Sequence, residues 1–336
     1  MKKRPDGRYQ KAITLPDGKR KIFYGKTQAE LTRKILAFQY GQDQGPLFRT
    51  VAEQWQEWDA SIHTYNTADA HKTPLKRAVA FFGDERVKDI TPMRIGAYMR
   101  TIEARGLARH SVQGHLSVLR GVFDFAIMQG IVQYNPCTGI RIESGAPPGT
   151  RQLPKQSDIE AIKAHHMDDR FSLLPFLLMY TGLRIGEALA LTRADFDLDA
   201  KTISVTKKIT FHANRPVVDD FAKTPRGIRM VPLLNVLRDV LPEWDGVLFG
   251  RDGQYYTASQ FTWEWKKYRE RTGVQCDRHT LRHEFATIMY DAGVDAKEAA
   301  KITGHDVSVL LATYQHIREE RANSAADKLN SYLDRV

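Results

Sequence analysis

The sequence is poor in the features that staple a chain, anchor it in a membrane or couple it to nucleotide energy. Cys137 and Cys276 are its only cysteines, far apart and outside any CxxC or His/Cys cluster. That excludes a disulfide framework and a zinc knuckle and leads us to expect a reducing, intracellular setting. The most apolar stretch, "FSLLPFLLMY", falls far short of the roughly 20 residues a membrane span needs. The opening "MKKRPDGRYQ" has the charge of an export signal but no apolar core behind it, so neither export nor a membrane partner is expected. No G-x-x-x-x-G-K-[ST] loop or EF-hand spacing occurs. His279 and His283 have the i, i+4 spacing of a zinc helix, yet Thr280 stands where H-E-x-x-H needs its glutamate. Neither a metal nor a cofactor is expected. Low-complexity stretches and long-period repeats are missing too.

What is present is ordinary globular material with a skewed charge. The 336 residues, 42% hydrophobic and 27% charged, suffice for two or three domains. Residues 1–45 carry eleven Lys and Arg against four acids, so seven of the net +10 charges sit there. A basic block of that kind points to a polyanion, nucleic acid ahead of an anionic membrane.

The same segment repeats a turn signal. "RPDGRY" and "LPDGKR" set Pro-Asp-Gly eleven residues apart between strand-like runs such as "YQKAITL" and "KIFYG". Thr27 with Glu30 predicts a capped helix after them. "GQDQGP" reads as a linker, and Thr50 with Glu53 predicts a helix bearing Trp55 and Trp58. Thr91-Pro92 opens another, and "RHSVQGHLSVLRGVFDFAIMQGI" places Val112, Leu116, Leu119, Val122 and Phe123 at helical spacing. Those apolar stripes are expected in a core rather than on a stacking surface. "TGIRIESGAPPGTRQLPK" is a second linker. Beyond it Ser157 with Glu160 predicts a helix, "KTISVTKKITF" and "GIRMVPL" a short β region, and the rest helices. The expected fold is multidomain α+β: a small three-stranded sheet plus helix at 1–45, an all-helical bundle at 46–140, a linker at 141–155, and a mainly α domain with a small antiparallel β region at 156–336.

The chemical candidates are scattered cations and one phenol. In "TGLRIGEALALT", Arg184 and Glu187 share a helical face, an ion pair that at a surface is worth little. His279 and Arg282 do the same in "DRHTLRHEF", with Leu281, Phe285 and Ile288 as the buried stripe. Lys223 sits at a Thr-Pro turn in "AKTPRGIRMVPL". In "KITGHDVSVLLATYQHI", Tyr314 follows His305 by nine residues, which on one unbroken helix would put them on opposite faces about 13 Å apart. Gly304 and Asp306 break that helix, leaving His305 in a loop and Tyr314 two turns into a new helix.

Taken together in this order, these strings resemble the tyrosine recombinase (phage integrase) family. "TGLRIGEALALTRADFD" is similar to its first-arginine box, "HTLRHEFAT" to its H-x-x-R box, and "ITGHDVSVLLATYQH" to its box of second histidine and tyrosine. No catalytic position departs from the pattern. The helical segment resembles the family's core-site-binding domain, and the basic sheet the arm-binding domain of integrases from mobile elements. The resemblance implies an integrase of a phage or integrative element that cleaves and rejoins DNA through a 3′-phosphotyrosyl intermediate. Arg184 and Arg282 would clamp the phosphate and Tyr314 would attack it. His279 would serve as base or phosphate donor, Lys223 would protonate the leaving 5′ oxygen, His305 would donate to the phosphate, and Glu187 would be a support. Lys207 and Lys208 compete with Lys223 for its role. The implied partners are double-stranded DNA attachment sites, a homotetramer on DNA, a host bending protein and an excisionase, in a bacterial, nucleoid-associated cytoplasmic setting. The alternatives are a type IB-like topoisomerase and a non-catalytic DNA-binding regulator.

Overall fold

In a computed structural model, residues 2–14, 20–42, 45–142, 153–220, 227–315, 317–318 and 333 are described. The chain divides into two units, Met1–Gly149 and Thr150–Val336.

The first unit opens with strands β1 (Lys2–Lys3), β2 (Tyr9–Thr14) and β3 (Arg20–Gly25), antiparallel in the order β1-β2-β3, and helix α1 (Gln28–Gln42). The first Pro-Asp-Gly makes its turn: the Asp6 carboxylate accepts from the Arg8 amide at 3.0 Å and Gly7 takes φ 81°. The second turn signal lies at 16–18, outside the described residues. The Thr27 hydroxyl accepts from the Glu30 amide, as its cap predicts, while the Glu30 carboxylate reaches back to the Lys26 amide.

Four helices follow: α2 (Phe48–Ile62), α3 (Tyr65–Phe82), α4 (Pro92–Glu103) and α5 (Arg109–Met128). Thr91 caps α4, with Pro92 in its first turn. Helix α2 starts before the predicted Thr50-Glu53 box, because the wholly buried Phe48 is packed between Phe82 and Phe123. Val112, Leu116, Leu119, Val122 and Phe123 are all buried, and so is Trp55. These stripes form the core of the bundle.

The second unit holds α6 (Gln156–His165), α7 (Leu173–Thr181), α8 (Ile185–Ala190), β4 (Phe196–Asp197), β5 (Thr202–Val205), β6 (Lys207–His212), β7 (Arg215–Asp220), β8 (Arg229–Pro232), α9 (Asn235–Arg238), β9 (Gly250–Arg251), β10 (Gln254–Tyr255), α10 (Ala258–Thr272), α11 (Arg278–Asp291), α12 (Ala296–Thr303) and α13 (307–315). Helix α6 begins at Gln156 without a side-chain cap, so the Ser157-Glu160 box does not form. β5 lies between β4 and β8 in a small antiparallel sheet, and β6-β7 and β9-β10 are hairpins. The main core gathers α6, α7, α8, this sheet and α10 around Leu174, Leu177, Ile203, Val231 and Phe249. A smaller cluster of Phe285, Ala286, Met289, Ala299, Ala300 and Leu310 joins α11, α12 and α13.

Among the described residues no helix is long and apolar enough to cross a membrane, and no cluster of three His, Cys, Asp or Glu could hold a metal.

Candidate active site

Helix α7, "LLPFLLMYT", is buried on nearly every side and ends at Gly182 in the left-handed region, φ 62°. A β-carbon there would come within 2.6 Å of the Phe285 ring, so only glycine lets the chain turn this close to α11. Two residues on, Arg184 has extended backbone angles and caps α8 instead of riding on it. The Glu187 carboxylate folds back from the first turn to accept the Arg184 amide at 2.9 Å and guanidinium Nη1 at 3.0 Å. Ala188 and Leu189 are buried and Ile185 partly so, but Glu187 is buried too, at 1% exposed. This is no surface ion pair.

Arg229 explains how the buried carboxylate is tolerated, and the sequence reading missed it. In strand β8 residues alternate between core and solvent, and Arg229 shares the core side with Val231. Its guanidinium forks onto Glu187, with Nη2 to Oε2 at 2.7 Å and Nη1 to Oε1 at 3.3 Å, while Nε donates to the Ile302 carbonyl at 2.9 Å. A cation on the core-facing register of "GIRMVPL" was the available signal, since a buried arginine demands a buried acid.

Arg282, 5% exposed on α11, ties three segments together. Its Nη1 donates to the Gly182 carbonyl at 2.5 Å, Nη2 to the Thr303 carbonyl at 2.7 Å and Nε to His305 Nε2 at 2.9 Å. Gly304 ends α12 with φ 68°; its carbonyl accepts from Arg184 Nη2 at 3.4 Å, and a β-carbon there would meet the Arg229 guanidinium at 3.2 Å. His305 thus sits in a loop, and Asp306 accepts from the Ser308 amide at the start of α13. The helix breaks where Gly304 and Asp306 predict.

The cluster is rich in positive charge. Three guanidiniums, from Arg184, Arg229 and Arg282, surround the single carboxylate of Glu187. Burial opposes ionisation of Glu187, but the bonds from Arg229 and the Arg184 amide outweigh it and hold the carboxyl below its usual range. Burial and the charge of Arg184 push Arg282 down to about 9, which leaves it a cation at neutral pH. Burial and Arg282 push His305 down to about 3, so the ring is neutral. Because a guanidinium only donates, Nε2 of His305 accepts and Nδ1 carries the proton. That Nδ1 is buried and has no hydrogen-bond partner. An open cleft of about 940 Å³, lined by Arg229, Lys297, Lys301, Gly304 and His305 among others, borders the cluster.

His279 is exposed in the first turn of α11, one turn before Arg282, its amide bonded to the capping Asp277. Lys223 lies outside the described residues, as do 319–332 and 334–336 of the C-terminal segment. The structure does not bring Tyr314 to the arginines. Its hydroxyl donates to the Val294 carbonyl at 3.3 Å and its ring packs edge-on against Tyr290 at 5.1 Å. Burial and the charge of Asp295 raise its pKa.

Residues 153–321 match the Phage integrase family, and residues 48–143 the Phage integrase central domain. A tyrosine recombinase XerC-like protein of Caldanaerobacter subterraneus subsp. tengcongensis is 26% identical across 93% of this chain and 91% of its own. A tyrosine recombinase XerC of Actinobacillus pleuropneumoniae is 24% identical across 82% and 91%. Among solved structures, a Tn1549 transposon integrase in complex with transposon right end DNA is similar in fold, with TM-score 0.67, 18% identity, and 85% of this chain and 100% of that one covered. A lambda integrase dimer bound to a COC′ core site gives TM-score 0.62 and 17% identity, covering 93% of each chain. With its boxes in order and two of the clustered guanidiniums, Arg184 and Arg282, drawn from them, this chain belongs to the phage integrase family: it is a tyrosine recombinase, an enzyme that breaks and rejoins DNA.

Proposed function

We propose that the protein is a site-specific integrase of a phage or integrative mobile element, acting through a 3′-phosphotyrosyl intermediate. The observation that carries this reading is the cluster itself: three guanidiniums around one carboxylate, beside a neutral histidine whose buried Nδ1–H has no partner. A phosphodiester gains charge on its non-bridging oxygens when attacked, and fixed forked donors are what that charge requires. Arg184 and Arg282 would hold those oxygens, and His305 would donate to one of them from Nδ1. Glu187, steadied by Arg229, would keep Arg184 aimed.

Tyr314 would attack phosphorus, forming the tyrosyl ester as the 5′ oxygen leaves with a proton from Lys223. His279 would act as base or as a further phosphate donor. Attack by the 5′ hydroxyl of another strand then reverses the step, so bond energy is conserved without ATP. For the phenol to reach the phosphate, α13 must leave its bond to Val294 or a neighbouring subunit must lend its tyrosine. Residues 1–45 would bind arm sites and 46–140 core sites, with 141–155 linking them to the catalytic domain at 156–336. Solved relatives are seen as a lambda integrase dimer on a core site and a lambda integrase tetramer on a Holliday junction, which supports a homotetramer on DNA here. A host bending protein, an excisionase and a bacterial, nucleoid-associated location complete the reading.

The test is a nicked duplex containing the element's own end, incubated with the protein in EDTA. The expected result is a covalent protein–DNA adduct that Tyr314→Phe abolishes. DNA binding without an adduct would remove the reading.

A further inference from the structure

The helical bundle of the first unit contains a buried polar relay. Tyr98 of α4 is 1% exposed and His115 of α5 is 3% exposed, both within the apolar core. The Tyr98 hydroxyl lies 3.0 Å from His115 Nδ1, and Arg77 Nη1 of α3 lies 3.1 Å from His115 Nε2. A guanidinium has only donors, so Nε2 accepts, Nδ1 carries the ring proton, and the Tyr98 oxygen accepts from it. Burial, then Arg77 and Arg105, push His115 down to about 4, so the ring is neutral. Two helices thus commit buried polar groups to fixing one guanidinium on a third.

Arg49 forms an ion pair with Asp84 and Arg94 with Glu85, but among the described residues no ion pair joins a carboxylate to Arg77. Arg77 is half-buried, with one of its five N–H donors taken, and Arg105 is exposed. The charges of both arginines bear on Tyr98 and His115. An arginine that merely stabilised the bundle would gain more from a carboxylate. One that is aimed, and that no carboxylate pairs with among the described residues, suits a phosphate.

We propose that Arg77, aimed by His115, is a phosphate clamp on the helical bundle that grips the backbone of double-helical DNA, with His115 as its positioning residue. The proposal rests on the DNA-binding role given above to residues 46–140.

The experiment is binding of the full chain to a mixed-sequence duplex across a salt series, read by fluorescence anisotropy, since a phosphate contact is indifferent to sequence. Arg77→Gln should weaken binding about tenfold and lower the slope of log affinity against log salt by about one unit. His115→Leu should weaken binding in the wild-type background and add nothing in the Arg77→Gln background. His115→Gln, whose amide can accept from Arg77 and donate to Tyr98, should restore it. Wild-type affinity and slope in Arg77→Gln overturn the clamp alone. Equal losses from His115→Leu in both backgrounds overturn the positioning role. A wild-type chain that binds no duplex at all overturns the DNA reading of the bundle and the clamp with it. Arg77→Gln alters a half-exposed side chain and decides the clamp even where His115→Leu does not fold.

Discussion

The two ends of α12 present opposite surroundings. At its C-terminal end Arg184, Arg229 and Arg282 crowd around Glu187 beside a neutral His305. At its N-terminal end Tyr314 lies between the Val294 carbonyl, the Tyr290 ring and the negative charge of Asp295. One environment is built to receive an anion and the other to discourage a phenol from becoming one. Cation-assisted ionisation, which the proposed chemistry needs, is not available to Tyr314 where it stands. The groups proposed to hold the phosphate and the tyrosine proposed to attack it therefore stand in separate surroundings, at opposite ends of one short helix.

The sharpest way to break this contrast is to strip the cation pocket of its central bond. Arg229→Met leaves Glu187 buried without its forked partner and should destabilise the catalytic unit by about 3–5 kcal/mol, read from a denaturant midpoint. Adding Glu187→Gln should recover part of that loss, because the uncompensated charge goes with it. Next comes Arg282→Lys, which keeps a positive charge but not the fork. Adduct formation should slow on the order of a hundredfold, while the titration of Tyr314 stays in place. The smallest effect belongs to the phenol's side. Asp295→Asn retains a capping side chain for α12 and removes the charge that raises the Tyr314 pKa. The tyrosine's titration, measured as an absorbance difference against Tyr314→Phe, should move to lower pH.

Local chemistry made some of this legible. The Thr27-Glu30 and Thr91-Pro92 signals name helix starts that form, because each uses a side chain to satisfy a nearby amide. The Thr50 and Ser157 signals fail where helices begin earlier than the box allows; at α2 a distant constraint, the burial of Phe48, outweighs one hydrogen bond. Strand β7 was invisible for a similar reason. Its hairpin turns at Ala213 and Asn214, with φ 53° at an alanine, where no Asn-Gly or Asp-Gly announces it. Asn214 is held there from outside, its side chain accepting from the Ser259 amide and its carbonyl from Ala258 at the start of α10.

The site divides the same way. Arg184 with Glu187, Arg282, and His305 in its loop follow from short strings, whereas the Arg229 bond to Glu187 spans 42 residues and depends on strand register. Whether the phenol faces the arginines is a question of tertiary packing, which no spacing of nine residues can answer.

Gly304 shows how much of the arginine cluster depends on emptiness. Its carbonyl meets one arginine, its bare α-carbon leaves room for a second, and its handedness frees the next residue from the helix. Any methyl group added there would push on the guanidinium beneath it and strain the backbone at once. The position is thus closed to the gradual substitution by which surfaces diversify, and tolerates change only if the strand beneath it is rebuilt in the same step.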